Sequence, residues 1–122
     1  MVDQVKDTNA QPNQMLIIEK HERVMAYLYP IVQRTPRCHA VLRDKVLHCL
    51  FDQADYIMQA GKSGHISKMY MADANLSMLR LYIRFYREGI RHLTTKQERH
   101  ALALIAEVGK LLGAWINRKK GN

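Results

Sequence analysis

An all-α fold, built as an antiparallel four-helix bundle, is what the sequence predicts, on three observations. Apolar residues recur at helical spacing in four successive stretches, most strongly at Ala101, Leu104, Ile105, Val108, Leu111, Leu112 and Trp115. No stretch alternates apolar and polar residues as a half-buried strand would. Hydrophobic residues make up 48% of the 122 positions, while Gly and Pro together fill only nine, so the chain is one domain rich in core and poor in turns.

Residues 1–12 are polar and read as a disordered N-terminal segment, with no basic-then-apolar leader of a secreted protein. The bundle domain follows over residues 13–117. Its first helix runs from Asn13 to Gln33 and buries Ile17, Val24, Leu28 and Ile31, with Pro30 expected to kink or loosen the last turn. Thr35 is placed as the N-cap of the second helix and Pro36 at its first position. That helix turns Leu42, Val46, Cys49, Tyr56 and Ile57 inward as far as Ala60, and Gly61 is expected to close it as a left-handed cap. The third spans Ser67 to His92. Thr95 and Glu98 form a capping-box pattern that opens the fourth. Gly109 and Gly113 each cost that helix roughly 1 kcal/mol relative to alanine, so either a backbone or bulky side chain packs against them or the pair is merely tolerated. Residues 118–122, with Arg118, Lys119 and Lys120, form a short basic tail.

The third helix carries the chain's most informative pattern. Ala72, Leu76, Leu79, Ile83, Tyr86 and Ile90 make a core strip, and Arg80, Arg84, Arg87 and Arg91 project beside it within an arc of about 60°. Met71, Ala74, Met78, Leu81, Tyr82 and Phe85 form a second apolar strip. It is either the wide part of an ordinary core face or a contact with another subunit or partner, for which Met71, Met78, Tyr82 and Phe85 are the candidates. Charge is equally lopsided. Residues 1–79 carry nine Lys and Arg against eight Asp and Glu, whereas residues 80–122 carry ten against three. The arginine row spans roughly 16 Å, enough to follow several phosphates of a nucleic-acid backbone, although a solvated charged face has the same appearance.

Several chemistries are excluded. No run of roughly 18 apolar residues spans a membrane, because Glu107 and Lys110 interrupt the most apolar stretch. Cys38 and Cys49 are read on one helix about 16 Å apart, beyond disulfide reach, as free thiols of a reducing cytoplasm. No CxxC or HxxxH spacing supports a metal, and no cofactor motif is present. Gly61-Lys62-Ser63 ends like a phosphate-binding loop, but Tyr56 stands where its first glycine belongs. His21-Glu22 lacks the second histidine of a zinc-protease helix, Met25 standing there instead. Asp52 and Asp55 share a helix face without an activated nucleophile, and His39, His48, His65, His92 and His100 read as surface or satisfied core residues. The chain is expected not to be an enzyme.

Several stretches taken together resemble a known family. They are Gln14-Met15, Glu22-Arg23-Val24 followed by Tyr27-Leu28-Tyr29-Pro30, Ala60-Gly61-Lys62-Ser63, Ser67-Lys68-Met69-Tyr70 with Ala72-Asp73, Leu79-Arg80, and Leu104-Ile105-Ala106-Glu107-Val108-Gly109 leading to Leu112-Gly113-Ala114-Trp115-Ile116. In order and spacing over residues 14–118 they look like the accessory variability determinant of diversity-generating retroelements. That resemblance implies a four-helix bundle assembled into a ring-shaped homopentamer with a basic surface. It implies a non-catalytic subunit that binds the element's reverse transcriptase and its template RNA, cDNA or RNA–DNA hybrid, and that mutagenic reverse transcription and retrohoming require. Arg80 and Arg84 lie in the matching part of the third helix; Arg87 and Arg91 rest on the helical wheel alone, and the basic tail is weaker still. The runners-up are a bundle of the kind encoded by intervening sequences in ribosomal RNA genes, and a structural bundle whose basic face docks an acidic protein.

Overall fold

The computed structural model describes residues 11–121, with side chains from Gln14 onward. Four helices run α1 (Gln11–Gln33), α2 (Ala40–Ser63), α3 (Ile66–Glu88) and α4 (Thr95–Lys120), with one 3-10 turn at Arg37–His39 before α2. Among the described residues there is no strand. Neighbouring helices run antiparallel, since rising numbers on one meet falling numbers on the next. Gln14 meets Met58 and His21 meets Leu50, and on the closing side Lys20 meets Glu107 while Tyr27 meets His100. Helix α1 thus touches both α2 and α4, and the four close into one bundle.

The core follows most of the apolar rhythm, although Leu42, Tyr56, Ile90, Leu104 and Leu111 are only partly buried against it. Ile17, Val24, Leu28 and Ile31 of α1, Val46, Cys49 and Ile57 of α2, the strip Ala72–Leu76–Leu79–Ile83–Tyr86 of α3, and Ala101, Ile105, Val108, Leu112 and Trp115 of α4 are all buried. Each helix offers one stripe to a common centre, which is how a bundle removes apolar surface from water.

The joints differ from their sequence-based placement, each for a tertiary reason. Helix α1 runs unbroken through the exposed Pro30 and loosens only at Arg34 and Thr35, whose amides bond to the Ile31 and Val32 carbonyls. Thr35 is not an N-cap. It is buried, and its hydroxyl bonds to the Val32 carbonyl and to the Tyr86 phenol, so Pro36 precedes the 3-10 turn and Cys38 lies in that turn, outside α2. Gly61 does not close α2 either: the helix continues to Ser63, and Gly64 supplies the left-handed cap at φ 71. A Cβ on Gly61 would overlap the Gln14 side chain, so this glycine serves the approach of α1.

Of the expected disordered segment, residues 1–10 lie outside the described residues, and residues 11 and 12 belong to α1. The expected tail is helical as far as Lys120.

The capping box sits one residue earlier than expected, on Thr94 and Gln97. Thr94 Oγ1 accepts from the Gln97 amide at 3.0 Å, and Gln97 Oε1 accepts from the Thr94 amide at 2.9 Å. Thr94→Ala is therefore expected to cost about 1 kcal/mol in urea unfolding, and Thr95→Ala a few tenths at about most. Equal losses at the two positions would contradict this assignment.

Candidate nucleic-acid interface and apolar face

Arg80, Arg84 and Arg87 leave α3 on the side that meets α4. The Arg80 guanidinium lies across Gly109, where a Cβ would overlap its terminal nitrogen, so the bulky group expected against that glycine is a cation. Gly113 has open space beside it. Arg84 is exposed, and Arg87 Nε donates to Thr95 Oγ1 at 3.0 Å.

Arg91 does not continue the row. Helix α3 ends at Glu88, short of the expected His92, and Arg91 lies exposed in the following turn with left-handed backbone at φ 54. The Gly89 and Ile90 amides return to the Phe85 carbonyl, and those of His92 and Leu93 to the Tyr86 carbonyl. Leu93 is thereby carried into the core, and its burial offsets the left-handed conformation of an arginine.

Glu88 stands at the edge of the row, but among the described residues no carboxylate forms an ion pair with it. Among the described residues the ion pairs are Lys20–Glu107 at 3.2 Å and Arg43–Asp44 at 3.1 Å, and neither involves an arginine of α3. Helix α4 then extends the basic surface towards α1. Tyr27, Lys96, Arg99 and His100 line a groove of about 660 Å³, and Tyr27 and His100 stack edge to face with centroids 4.5 Å apart. Ala103 is shared with a second groove of about 340 Å³ that includes Lys20 and Arg23. This flank escaped the sequence reading because Lys20 and Arg23 are interleaved with Glu19 and Glu22. Only the antiparallel register of α1 and α4 brings Arg23, and Lys20 with its partner Glu107, to a groove that adjoins the one lined by Arg99. A hint was available in Lys96, Arg99 and Ala103, which share one helix face.

Arg118, Lys119 and Lys120 are exposed in the last turn of α4, roughly 35 Å from Lys96. Lys119 reaches towards Gly64 at the opposite end of the bundle, so the tail does not join the arginine row. Three cations there also complement the negative end of the α4 dipole, which accounts for them without a ligand.

The second apolar strip of α3 faces outward. Met71, Met78, Leu81 and Phe85 are each 42–49% exposed, and Tyr82 is half-buried. Phe85 folds onto Gly89 and borders a groove of about 580 Å³ with Val41 of α2. Met78 and Tyr82 edge a smaller one with Lys45, His48 and Asp52. Exposed Val41, Phe51 and Met58 add apolar surface from α2 that the sequence reading passed over; Phe51 and Met58, two helical turns apart, carried the signal. The bundle therefore presents cations on its α3–α4–α1 side and the Met71, Met78 and Phe85 strip with Val41 along α3 and α2, whereas Phe51 and Met58 turn towards α1, against Tyr29 and Gln14.

The residues weighed for chemistry stay apart. Asp55 is exposed, and Asp52 lies beside Cys49, whose thiol burial pushes up to about 11 with the Asp52 charge adding to the effect. A thiol held protonated in this way is no nucleophile at neutral pH. Among the described residues no three of His, Cys, Asp and Glu converge as metal ligands would. No helix there is long and apolar enough to cross a membrane.

A family model described as bAvd-like matches residues 15–119. No curated protein matches the chain.

Proposed function

This chain belongs to the bAvd-like family, and from that premise we propose that it is a non-catalytic accessory subunit of a diversity-generating retroelement, acting in the cytoplasm. It binds the element's reverse transcriptase together with template RNA and cDNA or their hybrid, and supports mutagenic reverse transcription and retrohoming. The observation that carries the nucleic-acid part is the row of Arg80, Arg84 and Arg87, none of them in an ion pair among the described residues, extended by Lys96 and Arg99. Such a row neutralises phosphates and releases counterions, giving tight but sequence-tolerant binding. The exposed strip of Met71, Met78, Tyr82 and Phe85 supports self-assembly into a homopentameric ring. Five copies raise the formal charge of +8 to about +40 on one particle, a field that draws in polyanions.

Binding of RNA and of an RNA–DNA hybrid across a salt series tests this reading. Affinity is expected to fall steeply between about 50 and 200 mM salt, and replacing Arg80, Arg84 and Arg87 together with alanine is expected to flatten the log–log slope by about two to three. Affinity that ignores salt, or that survives the triple substitution, would sink the proposal.

A further inference from the structure

Two polar side chains that neither face uses are buried in the core besides Thr35. His21 and Gln53 are both 0% exposed. His21 Nε2 lies 2.7 Å from the Leu50 carbonyl oxygen, and because a carbonyl only accepts, Nε2 carries the proton and Nδ1 presents a bare lone pair. Gln53 follows one turn after Leu50 on the same buried side of α2. Its Oε1 accepts from Asn75 Nδ2 at 2.8 Å, and the same nitrogen donates to the Cys49 carbonyl at 2.9 Å. The Cys49 carbonyl fixes the Asn75 amide, since the flipped form would oppose two oxygens. Asn75 in turn fixes Gln53, whose Nε2 is left as a donor.

Two buried side-chain atoms then have no hydrogen-bond partner among the described residues: His21 Nδ1 and Gln53 Nε2. One is an acceptor and the other a donor. We infer that His21 Nδ1 and Gln53 Nε2 complete one another across at most one bridging water, so that a single hydrogen-bonded line ties α1 to α2 and α3 and breaks when His21 takes up a proton. Buried polar groups are almost always paired; Leu50, whose carbonyl His21 reaches, and Gln53 lie one turn apart on α2, so the acceptor and donor left open on His21 and Gln53 make this the economical pairing. A proton on Nδ1 turns the acceptor into a second donor facing Gln53.

Nothing around His21 compensates that charge. Helix α2 brings Cys49, a neutral thiol, and the buried residues of α3 and α4 are apolar except Tyr86, which bonds to Thr35 at the end of α1. Lys20, its neighbour on α1, is paired with Glu107 near the surface. Burial holds the His21 imidazole below its ordinary range, with the Leu50 hydrogen bond opposing in part. The unfolded chain therefore takes up the proton first. Stability is complete above about pH 6.5 and falls as the pH drops through that value towards the lower folded-state pKa.

Urea unfolding of the full chain from pH 8 to pH 5, at one protein concentration, against His21→Gln tests the inference. Below about pH 6.5 the unfolding constant of the parent is expected to rise by up to about tenfold per pH unit relative to the variant, whose amide does not titrate. Parallel curves would overturn it. Should His21→Gln fail to fold, nitrogen NMR of the parent decides. An Nε2–H tautomer with a midpoint below 6.5 supports the line, and an Nδ1–H tautomer or a midpoint at or above 6.5 removes it.

Discussion

Aspartate at both Met78 and Phe85 is expected to leave a fully helical chain that no longer self-assembles, its mass in light scattering falling from about five times 14.2 kDa to 14.2 kDa. Both side chains stand 42% and 49% exposed on the single chain, so a carboxylate at either position stays hydrated and the fold's stability should change by no more than about 0.5 kcal/mol. In a ring the same carboxylates would be buried against a neighbouring subunit without a partner. Each then costs on the order of several kcal/mol, and cyclic symmetry repeats the cost at every interface. Circular dichroism separates loss of assembly from loss of fold. The variant keeps Arg80, Arg84 and Arg87 but presents them singly, so its affinity for long polyanions should fall through lost multivalency. A parent that already weighs 14.2 kDa, or a double variant of undiminished mass, would contradict the ring.

The interior of this bundle was legible because burial imposes a period. Ala72, Leu76, Leu79, Ile83 and Tyr86 repeat at helical spacing, and every one is buried. The joints were not, because local rules there admit two answers. Thr94 with Gln97 and Thr95 with Glu98 both satisfy the capping-box pattern; the choice falls to the turn that buries Leu93, leaving Thr95 to accept from Arg87. Gly61 and Gly64 can each close a helix. The approach of Gln14 assigns the first to packing, and a chain contact 47 residues away in sequence is invisible to a local reading.

The basic face divides in the same way. Arg80, Arg84 and Arg87 follow from the helical wheel, since it depends only on residues within one helix. Arg91 was misplaced because Ile90 fits the core rhythm, and a wheel has no means of stopping at Gly89. Lys20 and Arg23 became part of the surface only through the register that sets Tyr27 against His100. A contact 73 residues apart in sequence has no local signature.

Tyr86→Ala is expected to be the most destabilising single substitution proposed, costing about 3–5 kcal/mol and lowering Tm by about 10–20 °C. The ring is fully buried where α3 ends, and two attachments converge on it. Its hydroxyl bonds to Thr35 at 2.7 Å, across 51 residues of chain, which anchors the turn between α1 and α2. Its face receives the edge of His92 at 5.8 Å, and the His92 ring lies 2.8 Å from the Ile31 carbonyl oxygen. Truncation to alanine leaves a cavity beneath all of these and frees His92 to swing away. Tyr86→Phe separates the parts. It keeps the ring, and Thr35 Oγ1 retains the Val32 carbonyl, so only about 0.5–1.5 kcal/mol should be lost. Against a total stability of about 5–15 kcal/mol the first change approaches unfolding, whereas the second is tolerated. Similar losses for the two variants would show that the hydroxyl, and not the ring, holds this end of the bundle together.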